Sequence, residues 1–450
     1  MNYKGWIKYL LVATTVMLSI TGCKKWLDTE APLQVDQEEL FSTEQGFRDV
    51  MNGVYLQMGD ATLYGRDMTF GFLSVLGRSY DTTISPAIGP LYYQGARYNF
   101  QDPTVQGLFT KIWANTYQCI NNLNSLLANI DAKQGLFTGN NFATIKGEAI
   151  ALRAFLHFDL VRMFGTAPSA GGNNIPAIPF VTTVGPKATP VSTTGVVIDK
   201  CIDELNQSLT MLSNSDAGVE KLTYWGVKGL LARIYMYKGD LANAQTQALS
   251  IINSNKFPLA TTASDLMFTK EHLFSLYSYQ VFSNQLYKSV LNTNPPLGFS
   301  IPNQNALFIT GSGISTDFRR VFNDPGTGGT TGNTISPRKC YASTANILPM
   351  IRMTEMYYIA AECAVVSRDS LAATNWMDSV RVHRNVPKYT LAALKLDSLA
   401  VEITKEYQKE FMSEGQMFYF YKRRNIPFAL LPFTKVPVVA NASYVFIKPE

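Results

Sequence analysis

Apolar side chains recur at helical intervals along most of this chain. In "EELFSTEQGFRDVMNGVYLQM" (38–58), Phe47, Val50, Met51, Val54, Tyr55 and Met58 fall three or four residues apart. That spacing places them on one face of a helix. "NFATIKGEAIALRAFLHFDLVRMFG" (141–165) repeats the pattern through Ile145, Ala149, Leu152, Leu156, Leu160 and Met163, and Gly165 supplies a helix stop. "IWANTYQCINNLNSLLANI" (112–130) reads the same way. No series of alternating strands appears, so the pattern predicts a mainly α fold.

One unit is a repeat signature. In "KGLLARIYMYKGDLANAQTQAL" (228–249), Ala232, Tyr235, Gly239, Asp240 and Ala244 match the spacing of a tetratricopeptide repeat. The small residues let two antiparallel helices approach, and Gly239-Asp240 makes the turn. A looser pair runs from "RMTEMYYIAAECA" (352–364) through "AATNWMDSVRVHRNV" (372–386), and the helix at 145–165 opens a further pair. Three stretches, 81–104, 166–198 and 293–349, read as non-helical. Connections of that length inside a compact domain are often functional. The first is flanked and filled by Tyr80, Tyr92, Tyr93, Tyr98 and Phe100.

The amino terminus departs from the helical pattern. Lys4 and Lys8 precede an apolar run from Leu10 to Ile20, about half of the ~20 residues that span a bilayer. A basic start, a short apolar stretch and small residues at the cut describe a secretory signal peptide. Ile20-Thr21-Gly22-Cys23 resembles the lipobox of bacterial lipoproteins, in which the cysteine is acylated and becomes the new N-terminus. Each buried methylene adds about 0.8 kcal/mol of anchoring. The expected organisation is a signal peptide at 1–22, a lipid anchor and tether at 23–37, and a single helical domain at 38–450. Removing the first 22 residues takes away Lys4 and Lys8 and no acid, which lowers the net charge from +5 to +3. So small an excess is too weak to argue for nucleic acid or an anionic surface, and no nucleic-acid partner is expected. No later segment has the 18 or so consecutive apolar residues of a spanning helix.

Chemistry-bearing motifs are few. Cys119, Cys201, Cys340 and Cys363 lack CxxC spacing; the first, second and fourth sit in helical apolar context and read as core, with a disulfide left open. His157, His272 and His383 lie far apart, HExxH is absent, and no metal or cofactor is expected. His157 reads as a packed core histidine. "GTGGTTGN" (326–333) lacks the Lys-Ser/Thr ending of a phosphate loop, and "GSGIS" (311–315) is not GxSxG. Glu402, Glu406, Glu410 and Glu414 recur every fourth residue with Lys405 and Lys409 among them. One helix face cannot oppose two carboxylates across a sugar, so the stripe reads as a solvated or interhelical ion-paired face. No catalytic residue is assigned, and the chain does not read as an enzyme. Aromatic residues make up 12% of the chain, and those in the long connections suit an amphipathic ligand.

Several pieces in order carry a resemblance. "CKKWLDTEAP", "ELFSTEQGFRDVMNGVY", "GEAIALRAFLHFDLVRMFG", "GLLARIYMYKGDLANA", "RMTEMYYIAAECA" and "KEYQKEFMSEGQMFYFYKRR" together resemble the SusD/RagB family of outer-membrane lipoproteins of Bacteroidota. The resemblance implies tetratricopeptide-like helix pairs with a loop-rich region packed against them. It also implies a non-enzymatic surface protein that captures an oligosaccharide or similar nutrient and delivers it to a SusC-like TonB-dependent transporter. Other readings are a periplasm-facing tetratricopeptide scaffold and a surface glycoside hydrolase. The family's C-terminal motif has an arginine and an aspartate where Met417 and Phe420 stand here, followed by basic residues matched by Lys422 and Arg423. Arg352, Glu355 and Glu362 match family features and read as scaffold. The family's binding loops vary with the nutrient, so ligand residues come from the chemistry of the first loop. They are Tyr80, Asp81, Tyr92, Tyr93, Arg97, Tyr98 and Asn99, aromatic platforms beside an acid, an amide and a guanidinium.

Overall fold

A computed structural model describes residues 37–81, 86–216, 218–278, 297–308, 316–324, 334–337, 346–389, 395–433 and 436–449. The expected signal peptide, Cys23 and its tether, Cys340, and the motifs at 311–315 and 326–333 lie outside them.

Helices dominate, as the apolar spacing predicts. They are α1 (Gln37–Leu40), α2 (Glu44–Met58), α3 (Phe72–Leu76), α4 (Pro90–Ala96), α5 (Pro103–Ile130), α6 (Asn141–Phe164) and α7 (Thr194–Leu209). Then follow α8 (Tyr224–Lys238), α9 (Leu241–Ile252), α10 (Ile301–Phe308), α11 (Met353–Val366), α12 (Ser370–His383), α13 (Leu396–Glu410) and α14 (Gln416–Arg423). Strands are short and pair antiparallel. β1 (Pro176–Pro179) joins β2 (Val191–Thr193), and β3 (His272–Tyr277) joins β7 (Ile347–Arg352), with His272 opposite Arg352 and Tyr277 opposite Ile347. β4 (Phe299–Ser300), β6 (Thr334–Pro337) and β5 (Asn323–Asp324) form a three-stranded sheet with β6 in the middle.

The helices stack as hairpins. α6 packs on α7, α8 on α9 and α11 on α12, and α9 lies against α11 to join the last two pairs. The turn of the 228–249 unit is built as its sequence requires. Gly239 adopts φ +88°, a left-handed conformation cheap only for glycine. The Asp240 side chain then accepts the Asn243 backbone N–H at 3.2 Å and caps α9. Ala232 and Ala244 are fully buried. One buried apolar cluster extends from Phe41 to Phe446, so the last residues close onto the first helices. Phe446 stacks on Phe109 at 4.0 Å between ring centroids, sealing α5.

All three stretches read as non-helical hold helical residues; in 166–198 these include the first turn of α7, from Thr194. Within 81–104, Pro90 opens α4 after Gly89 at φ +100°. A proline at the first helical position loses no hydrogen bond there, so it starts a helix where it reads as a breaker. The 293–349 stretch holds α10. α5 likewise starts before the periodic segment at 112, because Asp102 accepts the Thr104 N–H at 2.9 Å and Pro103 follows it. The core expectations hold for the described cysteines: Cys119, Cys201 and Cys363 are buried free thiols. His157 is fully buried, stacks on Phe180 at 4.1 Å and accepts the Val181 N–H through Nε2 at 3.0 Å. No described helix is long and apolar enough to cross a membrane.

Candidate ligand site

The first loop and α4 divide the seven candidate residues into two groups. Tyr80, Asp81 and Tyr98 are buried and committed to the protein. The Tyr80 hydroxyl donates to Phe70 O at 2.5 Å. The Asp81 carboxylate accepts the Ser300 N–H at 2.8 Å and the Asn303 side-chain amide, tying the loop to the start of α10. The Tyr98 hydroxyl donates to Leu76 O at 2.6 Å, and the Arg78 guanidinium lies 5.3 Å from the centre of its ring. Burial pushes the Tyr98 phenol up, beyond the pull of Arg78.

Tyr92, Tyr93, Arg97 and Asn99 remain half-buried. Tyr92 and Tyr93 pack one edge against a small cluster containing Phe70, Val75, Tyr80 and Leu348. The Arg97 guanidinium lies 5.5 Å from the centre of the Tyr93 ring. Asn99 donates its side-chain amide to Gln94 Oε1 at 3.0 Å. Arg66 and Asp67, which the sequence did not single out, belong to the same surroundings. They form a 2.9 Å ion pair, and Asp67 acts electrostatically on Tyr92. The patch therefore offers aromatic faces beside planar polar groups, the pairing that binds a polyhydroxylated ring by stacking and hydrogen bonds.

The carboxylate stripe resolves differently. α13 ends at Glu410, and Glu406 and Glu410 are fully buried with Glu414 nearly so. Arg319 bridges Asp317, Glu406 and Glu410 at 2.7, 2.8 and 3.0 Å. Arg384 reaches Glu271 and Glu410 at 2.7 and 2.9 Å. Of the two options the pattern left open, the interhelical ion-paired face is the one formed; only Glu402 lies near solvent, where it meets Lys405 at 2.8 Å. Burial pushes the Glu410 carboxyl up, yet Arg384, Arg352 and Arg319 hold it well below the carboxylate range. A carboxyl held ionised by guanidiniums has no proton to give a glycosidic oxygen.

The scaffold residues behave as expected of a scaffold. Arg233 makes two bonds to Glu355, at 2.8 and 2.6 Å, across α8 and α11. Arg423 grips both oxygens of Glu362, at 2.7 and 2.9 Å, and so ties α14 to α11. Met417 and Phe420 are buried, with Phe420 packed 4.3 Å from Tyr407 between ring centroids. An apolar contact thus stands where polar residues were expected from the resemblance. Lys422 is buried and donates to Met163 O at 3.0 Å.

Comparison with known proteins agrees with this architecture. Residues 25–236 match the SusD-like family described as starch-binding and associating with the outer membrane, and residues 332–430 match the SusD family. A SusD-like protein of Formosa agariphila is 24% identical over 254 residues, which cover 55% of this chain and 46% of the relative. A second from the same organism is 32% identical over 115 residues, 26% of this chain and 22% of the relative. The chain thus spans about half the length of the first of these relatives, and less of the second. A solved SusD-like carbohydrate-binding protein from Bacteroides vulgatus superposes with a TM-score of 0.70 at 19% identity, covering 85% of this chain and 83% of that one. A SusD superfamily protein from Bacteroides thetaiotaomicron gives a TM-score of 0.67 at 20% identity, with 85% and 89% covered. With the helix-pair scaffold, its ordered motifs and both family matches in agreement, the chain belongs to the SusD/RagB family.

Proposed function

We propose that this protein captures a carbohydrate at the bacterial cell surface and hands it to a SusC-like TonB-dependent transporter, without chemical change to the ligand. Residues 38–450 act as one domain, held to the outer membrane by lipid on Cys23. The observation that carries the reading is the half-open patch of Tyr92, Tyr93, Arg97 and Asn99 on a helical scaffold of this family. Membership supports carbohydrate as the ligand class, since the relative of highest TM-score cited above is named a carbohydrate-binding protein. The lipobox at Ile20–Cys23 supports the anchor, and the family supports the outer face and the transporter.

Affinity-tagged protein, extracted from membranes under mild detergent, is expected to bring a large barrel protein with it. An oligosaccharide array should show binding that Tyr93→Ala weakens. Protease shaving of intact cells should degrade the protein. Survival of shaving, together with recovery alone, would point instead to the periplasmic scaffold and sink this reading.

A further inference from the structure

A cavity with a wall of mixed polar and apolar residues lies away from the Tyr92–Tyr93 patch, between α2, α6 and the connection from α7 to α8. Its volume is about 190 Å³, more than ten times the ~10–15 Å³ that one water needs and below that of a drug-sized pocket. Arg48 of α2, Asn141, Thr144 and Glu148 of α6, and Asp216 and Lys221 of the connection line it.

Glu148 is the built element of this wall. It is buried at 4% exposure, and its Oε1 accepts the Tyr55 hydroxyl at 2.6 Å. Tyr55 in turn accepts the Leu222 N–H at 2.9 Å, so the carboxyl is fixed from behind by a chain of two bonds. Among the described residues nothing bonds its Oε2, and the residue borders the cavity. Burial pushes the carboxyl up, further than Tyr55, Lys221 and Arg48 draw it down. Lys221 and Arg48 act on it through space, but no cation bonds it among the described residues. Arg48 turns Nε and Nη2 to Glu44 Oε1, at 3.0 and 2.6 Å, which leaves its Nη1 without a partner among the described residues. Lys221 is exposed to solvent at the cavity and acts electrostatically on Glu148.

The wall therefore carries both signs of charge. A simple anion would face Glu148 and Asp216, and a simple cation would face Arg48 and Lys221. A neutral sugar could bond the carboxyl but would bring no charge to either set of groups. A small zwitterion satisfies both sets, its ammonium at Glu148 and its carboxylate at Lys221 and Arg48. We propose that this cavity binds a free α-amino acid, at a site separate from the carbohydrate patch.

The full-length protein in detergent would be titrated calorimetrically with the free proteinogenic amino acids, their N-acetyl forms and glucose. The expected result is saturable binding of at least one amino acid, weakened about tenfold or more by N-acetylation and by Glu148→Gln. Oligosaccharide binding should be unchanged by Glu148→Gln, so failure here is distinguishable from failure of the proposed function. Lys221→Met, nearer the rim, provides a second variant should Glu148→Gln not fold, and is expected to weaken the same amino acid. No binding at millimolar concentrations overturns the proposal, as does equal binding of glucose or of the N-acetyl form, or full retention of affinity in whichever variant folds.

Discussion

Arg352 Nη1 lies 2.6 Å from Glu410 Oε1, with both side chains removed from solvent. The same arginine reaches Glu414 at 2.9 Å, while Arg384 and Arg319 approach Glu410 from other sides. Glu410 is thus the shared counter-ion of three guanidiniums that come from the 316–324 segment, the end of β7 and the end of α12. It joins the loop-rich region and the end of α12 to α13, alongside Glu406, Glu414 and Glu271, which share the same guanidiniums.

Removing that carboxylate takes one counter-ion from each of three buried guanidiniums, leaving Arg319 to Asp317 and Glu406, Arg352 to Glu414, and Arg384 to Glu271. Glu410→Ala is expected to lower stability by roughly 3–5 kcal/mol, as breaking a buried ion pair from one side does. Urea denaturation of the two proteins would measure it. A loss under about 1 kcal/mol, the size of a surface pair, would contradict the network's role.

The network also sets an acid limit. Despite burial, the guanidiniums hold Glu410 well below its ordinary value of 4.5. A carboxyl whose folded pKa is depressed binds fewer protons folded than unfolded, so its contribution is complete above the unfolded value. It is lost as pH falls below about 4.5 toward the folded value. His157 acts in the same direction over a higher window. Burial draws it from 6.5 to about 3, against the pull of its bond to Arg153 O. The unfolded imidazole therefore takes up a proton between those values while the folded one does not, and stability falls with pH across that window. Side-chain NMR should find His157 neutral at pH 5, with its proton on Nδ1 toward Arg153 O. A protonated His157 at that pH would refute the assignment.

The helix-hairpin turn gives a cleaner test, because only backbone is involved. A Cβ on Gly239 would meet nothing within 4 Å, so the cost of Gly239→Ala lies wholly in holding φ at +88°. That cost is about 1–2 kcal/mol. A fall in melting temperature is expected for Gly239→Ala and a larger one for the β-branched Gly239→Val. Unchanged melting in both would mean that the turn relaxes without penalty.

These cases mark what could be read in the sequence. Gly239-Asp240 was legible because a left-handed turn followed by a cap is a local demand on two adjacent residues. Arg352, Glu355 and Glu362 were legible as scaffold through the order of the motifs. The depth of the glutamate stripe was not: its partners Arg319 and Arg384 are far away in sequence, and a four-residue period looks the same facing water or arginine. α4 was missed because Pro90 stops a helix or starts one according to what precedes it. The loop tyrosines all looked alike, since an irregular segment has no period to separate Tyr98, turned inward, from Tyr93, half open. Glu148 stood out in no pattern, because its cavity is made by residues from three separate segments.

That inward and outward division gives the sharpest test of the carbohydrate patch. Tyr98→Phe removes the hydroxyl that donates to Leu76 O and leaves a buried carbonyl without that bond. It should cost about 1–3 kcal/mol of stability and leave oligosaccharide affinity unchanged. Tyr93→Ala removes a half-buried ring and the platform under Arg97. It should lower affinity by about 1 kcal/mol or more, roughly fivefold or greater, with a smaller change in melting temperature. The pair forms a crossed experiment, each variant moving one observable and sparing the other. If both variants lower stability and neither alters affinity, the ligand is held elsewhere, and the half-open tyrosines serve only to pack α4 against the loop beneath it.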